Sequence, residues 1–361
     1  MIEKQIQTVV RQFLPDVEIT HPEKLKGGII NRTYLIETET KKKYILQQIN
    51  QSVFPDVPTL MNNLDLITNH LHKKAVKNKP LFPFYTYQYY KTSSGKSFFL
   101  DDEKTYWRLS DYIEHTNHVD TNNPQTVKEA GKLFGFFNRQ LRDIDLAKIH
   151  EIIPGFHDSE KYYRKFLSSA EKDVAGRLSE TENIYEKFIK YNYLIDEFKQ
   201  IKNNQNIPLR LVHNDTKVDN ILFNEKGQAI CVIDLDTCMP GYLMTDFGDA
   251  IRSLSNTAVE DEPDLTKVSF DFSLYRNFAN GFLWSVPSFI LPEEKQKLAF
   301  FALLLTYEQA LRFYTDYLNG DTYYHIDYAT HNLQRTKVQL KLLEEMIERY
   351  EEMKNFVKNC F

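Results

Sequence analysis

The sequence predicts an α+β fold with a small β-rich N-terminal lobe and a larger, mainly helical C-terminal lobe. Two lobes are expected because the 361 residues exceed the usual size of a single hydrophobic core, and a hydrophobic content of 42% can support two. Strand-like segments occupy the first third of the chain, whereas helical spacing of apolar residues dominates the remainder. We place the boundary after residue 112, so that the predicted lobes are 1–112 and 113–361.

The N-terminal lobe is predicted to begin with an amphipathic helix, one face of which carries Ile2, Ile6, Val9, Val10 and Phe13. The dipeptide Gly27-Gly28 then opens a hairpin. One further helix is expected near residues 59–73. The predicted five-stranded sheet uses residues 33–37, 43–49, 85–90, 97–100 and 105–112.

The C-terminal lobe is predicted to be helical apart from one hairpin. Helical spacing is clear in the set Ala130, Leu133, Phe134, Phe137 and Leu141. The same spacing recurs from Phe301 onward, and a long charged helix is expected over residues 336–354. The pattern changes between Asp111 and Glu114, where we expect the hinge between the lobes.

Residues 211–252 carry most of the functional information in the chain. Asp215 is followed five positions later by Asn220. A short apolar run, a turn that ends in Gly227 and a second apolar run then lead to Asp234. A glycine near the end of the turn favours a β-hairpin, which would return Asp234 to the edge where Asn220 lies.

Kinase-type phosphoryl transfer requires residues in this order. Asp215 is the candidate base, which orients and deprotonates the attacking hydroxyl. Asn220 and Asp234 are the candidate Mg²⁺ ligands, because Mg²⁺ prefers oxygen donors and takes only one or two from the protein, with phosphates and water supplying the others. We expect His213 to brace the loop. Asp236 either supports the metal site or bonds the next turn.

The tripeptide Asp246-Phe247-Gly248 spells the sequence that holds the metal aspartate of protein kinases. Here it follows Pro240-Gly241 and a short loop, and no strand is predicted to run into it, whereas Asp234 ends an apolar strand. We therefore expect Asp246 to start a helix, either as its cap or as a brace for the catalytic loop.

The segments HNDTK, VIDLDT and DFGD between residues 213 and 249 resemble the aminoglycoside phosphotransferase and choline kinase superfamily, which has a protein-kinase-like fold. Within it, they resemble most the N-acetylhexosamine 1-kinases. Residues 27–34 and 43–50 resemble that group's nucleotide loop and next strand, and 312–323 resembles its sugar-binding segment. The resemblance implies that ATP and Mg²⁺ are used to phosphorylate the anomeric hydroxyl of N-acetylglucosamine or N-acetylgalactosamine.

The resemblance also implies which residues lie against ATP, namely Gly28, Asn31, Thr33, Gln47 and, at the hinge where the adenine edge would meet backbone groups, Tyr112. A glycine at the loop allows backbone amides to approach phosphate closely. Kinases generally carry a lysine on the third strand, whereas Gln47 has no charge. Lys217 is the candidate replacement, directed at the transferred phosphoryl group. The alternative is a solvated loop lysine.

For the sugar, the resemblance implies binding by Arg312 and Tyr323, with Asp215 touching the reacting hydroxyl. A guanidinium and a phenol are suitable donors to ring hydroxyls and to an acetamide carbonyl. The structural alternative is an ion pair between Arg312 and Asp316, four residues later on the same helix face, with Tyr323 packed in the core.

Two other functions remain open from the sequence. One is a non-catalytic nucleotide- or sugar-binding relative, and Gln47 is its only support. The other is a kinase of another small alcohol, such as choline, a different sugar or an antibiotic. A choline-type site uses an aromatic and acidic pocket for its cation, which Arg312 would repel.

The composition excludes several classes of partner. A net charge of −5 with scattered Lys and Arg argues against nucleic acid. The apolar run 298–305 is too short to span a membrane, and the N-terminus lacks the apolar segment of a signal peptide. Three sparse cysteines are typical of a reducing compartment. We expect a cytoplasmic protein that is a monomer or a weak homodimer.

Overall fold

The computed structural model of the chain describes residues 2–25, 30–77, 84–116 and 119–360. It has the predicted α+β fold, with a sheet in the N-terminal region and helices in the C-terminal region. Gly28, predicted to line the nucleotide loop, lies outside the described residues. The boundary at residue 112 stays a prediction. Within the described residues, no helix is long and apolar enough to cross a membrane.

The N-terminal sheet is antiparallel and five-stranded, with the order β1-β2-β3-β5-β4. Its strands are β1 (Ile19–Lys24), β2 (Arg32–Thr38), β3 (Lys43–Gln48), β4 (Phe99–Leu100) and β5 (Tyr106–Asp111). Helix α1 (Ile2–Phe13) covers one face, and its buried residues include Ile6, Val9, Val10 and Phe13, as predicted. They pack on Tyr34, Ile36, Leu46, Trp107 and Leu109 of the sheet.

Two strands differ from the prediction. Strand β1 was not predicted because it lies at the edge of the sheet, where most side chains are exposed and the alternation of apolar residues is absent. The predicted strand 85–90 makes a single bridge, between Tyr89 and Ser110. It flanks the same edge of β5 that β4 occupies, and two of its tyrosines, Tyr87 and Tyr89, are buried in the larger core.

Helix α2 (Val57–Lys77) covers the predicted span 59–73 and joins the larger core with the helical region. The remaining helices are α3 (Pro124–Leu141), α4 (Ser159–Lys172), α5 (Glu182–Lys190), α6 (Tyr193–Lys202), α7 (Leu243–Leu254), α8 (Phe272–Ser285), α9 (Pro292–Leu318), α10 (His331–Glu348) and α11 (Tyr350–Asn359). The prediction of a single long helix over 336–354 is wrong, because the helix is interrupted at Arg349, between α10 and α11.

Helices α3 and α8 approach each other unusually closely. A Cβ atom added to Gly131 would lie 2.3 Å from the carbonyl oxygen of Phe278, and one added to Gly281 would lie 2.1 Å from that of Lys128. Real Cβ atoms do not tolerate such distances, so glycine is required on both helices. The long helix α9 is buried along most of its length between α4, α7, α10 and α11.

Two small β-ribbons present the loops of the predicted motif. Strands β6 (Arg210–Val212) and β9 (Met239–Gly241) form one, and β7 (Ile221–Phe223) and β8 (Ala229–Val232) form the predicted hairpin. Gly227 closes the hairpin turn with a φ of 71°, a conformation that glycine adopts without strain.

A buried ion pair joins the N-terminal sheet to the loop after this hairpin. Arg108, on β5, donates both terminal nitrogens to the two carboxylate oxygens of Asp236, and both side chains are only 2% exposed. The Arg108 Nε donates to Gln47 Oε1 at 2.9 Å, and Asn31 Nδ2 donates to Asp236 Oδ2 at 2.8 Å. The bidentate geometry fixes the sheet and the loop relative to each other.

We predict that Arg108→Met lowers the free energy of unfolding by about 3–5 kcal/mol, because it leaves the Asp236 carboxylate buried without its partner. Arg108→Lys should lie between the wild type and Arg108→Met, since lysine keeps the charge but not the fork. The double variant Arg108→Met/Asp236→Leu is the control, and it should recover much of the loss. Urea unfolding measures all four proteins, and a loss below about 1 kcal/mol for Arg108→Met would contradict the assignment.

Candidate active site

The catalytic loop between β6 and β7 is held by the carboxylate of Asp246. The backbone N–H of His213 donates to Asp246 Oδ2 at 2.9 Å, and that of Asn214 donates to Asp246 Oδ1 at 2.8 Å. Asn138 adds a third hydrogen bond from its side chain, at 2.7 Å. Asn214 has a positive φ of 66°, and these contacts hold that conformation in place.

Asp246 therefore braces the catalytic loop, which is one of the two roles expected for it. The role of helix cap is wrong, because α7 begins at Leu243 after Tyr242 and Asp246 is a buried residue of its first turn. Burial raises the pKa of Asp246, and the N–H donors oppose that rise. The expectation that no strand precedes this segment is also wrong. Strand β9 precedes α7 and pairs with β6. The sequence did not predict it because the ribbon is short and its residues lack apolar alternation.

His213 is a structural residue of the loop. Its ring is packed edge-on against Phe134 and Phe137 and is completely buried. Its Nε2 lies 3.0 Å from the carbonyl oxygen of Ile233, and its Nδ1 lies 3.3 Å from the backbone N–H of Asp215. These partners require Nδ1 to accept and Nε2 to donate, so the ring is the neutral Nε2–H tautomer.

The carboxylate of Asp215 is held through one of its oxygens. Asn220 Nδ2 donates to Asp215 Oδ2 at 2.9 Å, and Lys217 Nζ lies 3.2 Å from the same oxygen. In the part of the chain that the structure describes, Oδ1 has no hydrogen-bond partner. The side chain is 27% exposed, so Oδ1 is available to accept a proton from a bound hydroxyl.

The ammonium of Lys217 belongs to the same cluster of charges. Its side chain is 32% exposed and paired with Asp215, so the alternative of a freely solvated loop lysine does not describe it. Burial lowers the pKa of Lys217, whereas the charges of Asp215, Asp234 and Asp219 raise it. The effect of the carboxylates is the larger one, so the net shift is upward. Lys217 therefore stays charged next to the candidate base.

The hairpin brings Asn220 and Asp234 together, since the N–H of Ile233 donates to the Asn220 carbonyl at 3.0 Å. The pKa of Asp234 is raised to about 6, first by burial and then by the charges of Asp236 and Asp215. A divalent cation would relieve this concentration of carboxylates. The described residues contain no cluster of three His, Cys, Asp or Glu side chains that could hold a metal ion. Mg²⁺ does not need such a cluster, because an Asn–Asp pair can bind it together with phosphate oxygens.

Four of the predicted nucleotide-binding residues, Asn31, Thr33, Gln47 and Tyr112, lie on or next to strands of the N-terminal sheet. Gln47 Nε2 donates to Thr33 Oγ1 at 3.1 Å, and Gln47 Oε1 accepts from Arg108. The glutamine in the third-strand position therefore orients the guanidinium of Arg108, which lies on β5. Asn31 donates one amide N–H to Asp236, and its side-chain oxygen accepts from the backbone N–H of Asn50. Tyr112 follows β5 directly, and the ammonium of Lys43 lies 5.4 Å from the centre of its ring.

The predicted sugar segment contains an arginine without an acidic partner. Arg312, on α9, stacks against Phe156, Tyr162 and Tyr324, with its guanidinium carbon 5.5, 5.2 and 5.9 Å from the ring centres. Its guanidinium also donates a hydrogen bond to Gln309, at 3.3 Å. Among the described residues, no carboxylate lies within ion-pair distance of Arg312. This arrangement leaves guanidinium donors for a ligand.

Both parts of the structural alternative for this segment are wrong. Asp316 does not pair with Arg312, because its carboxylate accepts from the backbone N–H groups of Thr322, Tyr323 and Tyr324 and from Asn332. These bonds shape the loop after α9. The side chain that the loop presents, Tyr323, is 68% exposed and is not a core residue.

Three residues that the sequence did not single out belong to these networks. Arg108 was detectable as a lone arginine within an apolar strand. Tyr324 lies beside Arg312, and its hydroxyl is buried without a hydrogen-bond partner among the described residues. His157 contacts the catalytic loop from a turn 58 residues earlier than Asp215, and no local pattern marks it.

Comparison with known proteins identifies the family. The model of the phosphotransferase enzyme family matches residues 21–277, a range that includes the catalytic loop, the hairpin and α7. Among solved structures, spectinomycin phosphotransferase in complex with ADP and spectinomycin is 15% identical, with a TM-score of 0.61 over 97% of this chain and 98% of that one.

Two further solved structures share the fold. An amicoumacin kinase in complex with AMP-PNP and Ca²⁺ is 12% identical, with a TM-score of 0.60 over 94% of this chain and 93% of its own. The ethanolamine kinase of Plasmodium vivax is 14% identical, with a TM-score of 0.56 over 92% of this chain and 86% of its own. The family match covers well over half of the residues, among them Asp215, Asn220 and Asp234, and the chain belongs to the phosphotransferase enzyme family.

Proposed function

We propose that the protein is an ATP-dependent kinase that transfers the γ-phosphoryl group to the anomeric hydroxyl of N-acetylhexosamines, GlcNAc or GalNAc, giving the sugar 1-phosphate. The observation that carries the proposal is the arrangement around Asp215. One carboxylate oxygen is held by Asn220 and Lys217, and the other, at a partly exposed position, has no hydrogen-bond partner among the described residues. The resemblance of residues 312–323 to a sugar-binding segment supports the choice of acceptor.

In the proposed reaction, Asp215 accepts the proton of the sugar hydroxyl as the bond to phosphorus forms. Holding Oδ2 fixes the direction of the free oxygen, which positions the hydroxyl for attack. Lys217 contributes a positive charge beside the transferred group. Asn220 and Asp234 would hold Mg²⁺, which when bound would neutralise charge on the phosphates. Thr33, Gln47 and Tyr112, with the loop at Gly28 and Asn31, would line the nucleotide.

The surroundings of Arg312 favour a neutral polyol over a cationic alcohol. An aromatic cage can bind a quaternary ammonium, but here the rings of Phe156, Tyr162 and Tyr324 are already stacked on a guanidinium. A second cation at this place would be repelled. Ring hydroxyls or an acetamide carbonyl would instead satisfy the guanidinium donors of Arg312 and the phenol of Tyr323.

The non-catalytic alternative loses the feature that supported it. Gln47 lacks a charge, but its side-chain oxygen accepts from Arg108, so this position on the third strand orients the buried Arg108–Asp236 pair. We propose that the enzyme acts in the cytoplasm, where ATP is available and thiols stay reduced. The two buried cysteines, Cys231 and Cys238, are free thiols, in keeping with that location. We propose a monomer or a weak homodimer.

The first test of this function is the base. Asp215→Asn keeps the shape of the side chain and an acceptor for Asn220 but cannot take a proton at neutral pH. We expect turnover with GlcNAc to fall by roughly a hundredfold or more, while ATP binding and thermal stability stay near wild type. Steady-state kinetics and a nucleotide-binding titration measure the two effects. Near-normal turnover would rule out Asp215 as the base.

The second test separates the two candidate metal aspartates. Asp234→Ala should abolish turnover at every practical Mg²⁺ concentration, because it removes a hard oxygen ligand at the end of the hairpin. Asp246→Asn is the matched control. It should lower the melting temperature by unsettling the catalytic loop but leave the Mg²⁺ dependence of the remaining activity unchanged. If Asp246→Asn alone raised the Mg²⁺ requirement, the assignment of the metal to Asp234 would be wrong.

The third test concerns the sugar. Arg312→Ala should raise KM for the sugar at least about tenfold and leave KM for ATP within about twofold, because a charged hydrogen bond to a ligand contributes about 1.5–3 kcal/mol. Arg276→Ala is the control. This arginine also stacks on an aromatic ring, Phe356, but it lies on α8 against α11. Equal effects of Arg312→Ala on both KM values would contradict the assignment.

A further inference from the structure

The turn before α4 places a buried histidine between the catalytic loop and α9, and the proposed reaction does not use it. His157 Nε2 lies 2.8 Å from the carbonyl oxygen of Asn214, the residue that precedes the candidate base. His157 Nδ1 lies 2.7 Å from Oε1 of Glu308 on α9. The side chain of His157 is 10% exposed, and that of Glu308 is 1% exposed. The backbone of His157 has a positive φ of 56°.

The two partners fix the protonation of the ring. A backbone carbonyl only accepts a hydrogen bond, and so does an ionised carboxylate. A neutral imidazole has a single N–H and could satisfy only one of these acceptors, whereas an imidazolium satisfies both. Both distances are those of good hydrogen bonds. With Glu308 ionised, only the charged ring can donate to both partners.

The charged groups around His157 favour that form. Glu308 faces it from α9 and also accepts from the hydroxyl of Ser159. Asp249 faces it from α7, where it is paired with Arg252. Burial by itself lowers the pKa of His157, but Glu308, Asp249 and the Asn214 carbonyl together outweigh burial, and the pKa is raised above the ordinary value of 6.5.

Glu308 lies one helical turn before Arg312 on α9, so the same helix carries the acidic partner of His157 and the candidate sugar-binding arginine. We propose that His157, as an imidazolium, is a positioning residue that ties the catalytic loop to α9 and so holds Asp215 in register with the sugar subsite. Its effect on catalysis rests on the proposed function, but its charge state does not.

The proposal has a consequence for pH. Because the folded-state pKa lies above the ordinary value, the stabilisation by His157 is fully present below pH 6.5 and is lost as pH rises through the raised pKa. Loss of the proton turns one ring nitrogen into an acceptor that faces another acceptor. His157 then loses one of the two hydrogen bonds through which it ties the loop to α9, and kcat should fall on the alkaline side.

Glu308→Gln provides a sharp test. The glutamine amide could donate its N–H to Nδ1 of a neutral His157 and still accept from Ser159 through its oxygen. The neutral ring would then keep its N–H for the Asn214 carbonyl. We expect this variant to retain most of its activity at neutral pH and to lose the alkaline fall in kcat.

His157→Asn removes the double donor. We expect kcat to drop about 10- to 100-fold with KM for ATP nearly unchanged, because a small displacement of the base costs rate rather than nucleotide binding. His70→Asn is the control. His70 also contacts a carbonyl and a carboxylate, of Gln140 and Asp143, but on α2 away from the loop, and its pH profile should match the wild type.

The charge itself is measured by ¹⁵N NMR of the histidine rings in the free protein at pH 7, with the His157 signals assigned by their loss in His157→Asn. Both ring nitrogens should carry protons. One unprotonated ring nitrogen would overturn the proposal, whatever the enzyme's substrate proves to be. So would a His157→Asn variant that melts earlier but keeps the wild-type kcat and pH profile with the best acceptor found. If sugars fail as acceptors but the NMR result holds, the acceptor is wrong and the role of His157 stands.

Discussion

The ion pair between Arg108 and Asp236 is the interaction on which the rest of the site depends. It is bidentate and almost completely buried, and it joins strand β5 to the loop that carries Asp234. Gln47 orients the arginine, and Asn31 adds a bond to the aspartate. The candidate nucleotide-binding residues Gln47 and Asn31 therefore share one network with the loop that carries the candidate metal ligand Asp234. A charge pair so deeply buried is stable only while both partners are present.

The catalytic loop is fixed from the opposite side by helices. Asp246 and Asp249, both on α7, accept the backbone N–H groups of His213, Asn214 and Thr216, and the carbonyl of Asn214 points to His157. Nearly every polar backbone group around the candidate base thus has a buried partner. Asp215 itself is partly exposed, and among the described residues its Oδ1 has no partner. Because the loop is rigid, this oxygen accepts a proton from a fixed direction.

Much of this could be predicted from the sequence, because periodic elements and local motifs have local causes. The amphipathic α1, the helix α3 and the hairpin between Asn220 and Asp234 follow from spacing and turn residues. Edge strand β1 was missed because exposed strands lack apolar alternation. The partners of Asp316 and the contact of His157 with the catalytic loop could not be predicted, since they depend on how distant segments meet. Arg108 carried a signal, a charge within an apolar strand, without revealing its partner.

The central claim is phosphoryl transfer from ATP to the anomeric hydroxyl of an N-acetylhexosamine. Its most direct test is ³¹P and ¹H NMR of the product formed when the wild-type protein is incubated with ATP, Mg²⁺ and GlcNAc or GalNAc, with choline and ethanolamine in parallel. The account predicts a phosphorus nucleus coupled to the anomeric proton of the sugar and no phosphorylated amino alcohol. Phosphate on another sugar hydroxyl, or transfer to an amino alcohol in preference to the sugars, would contradict it.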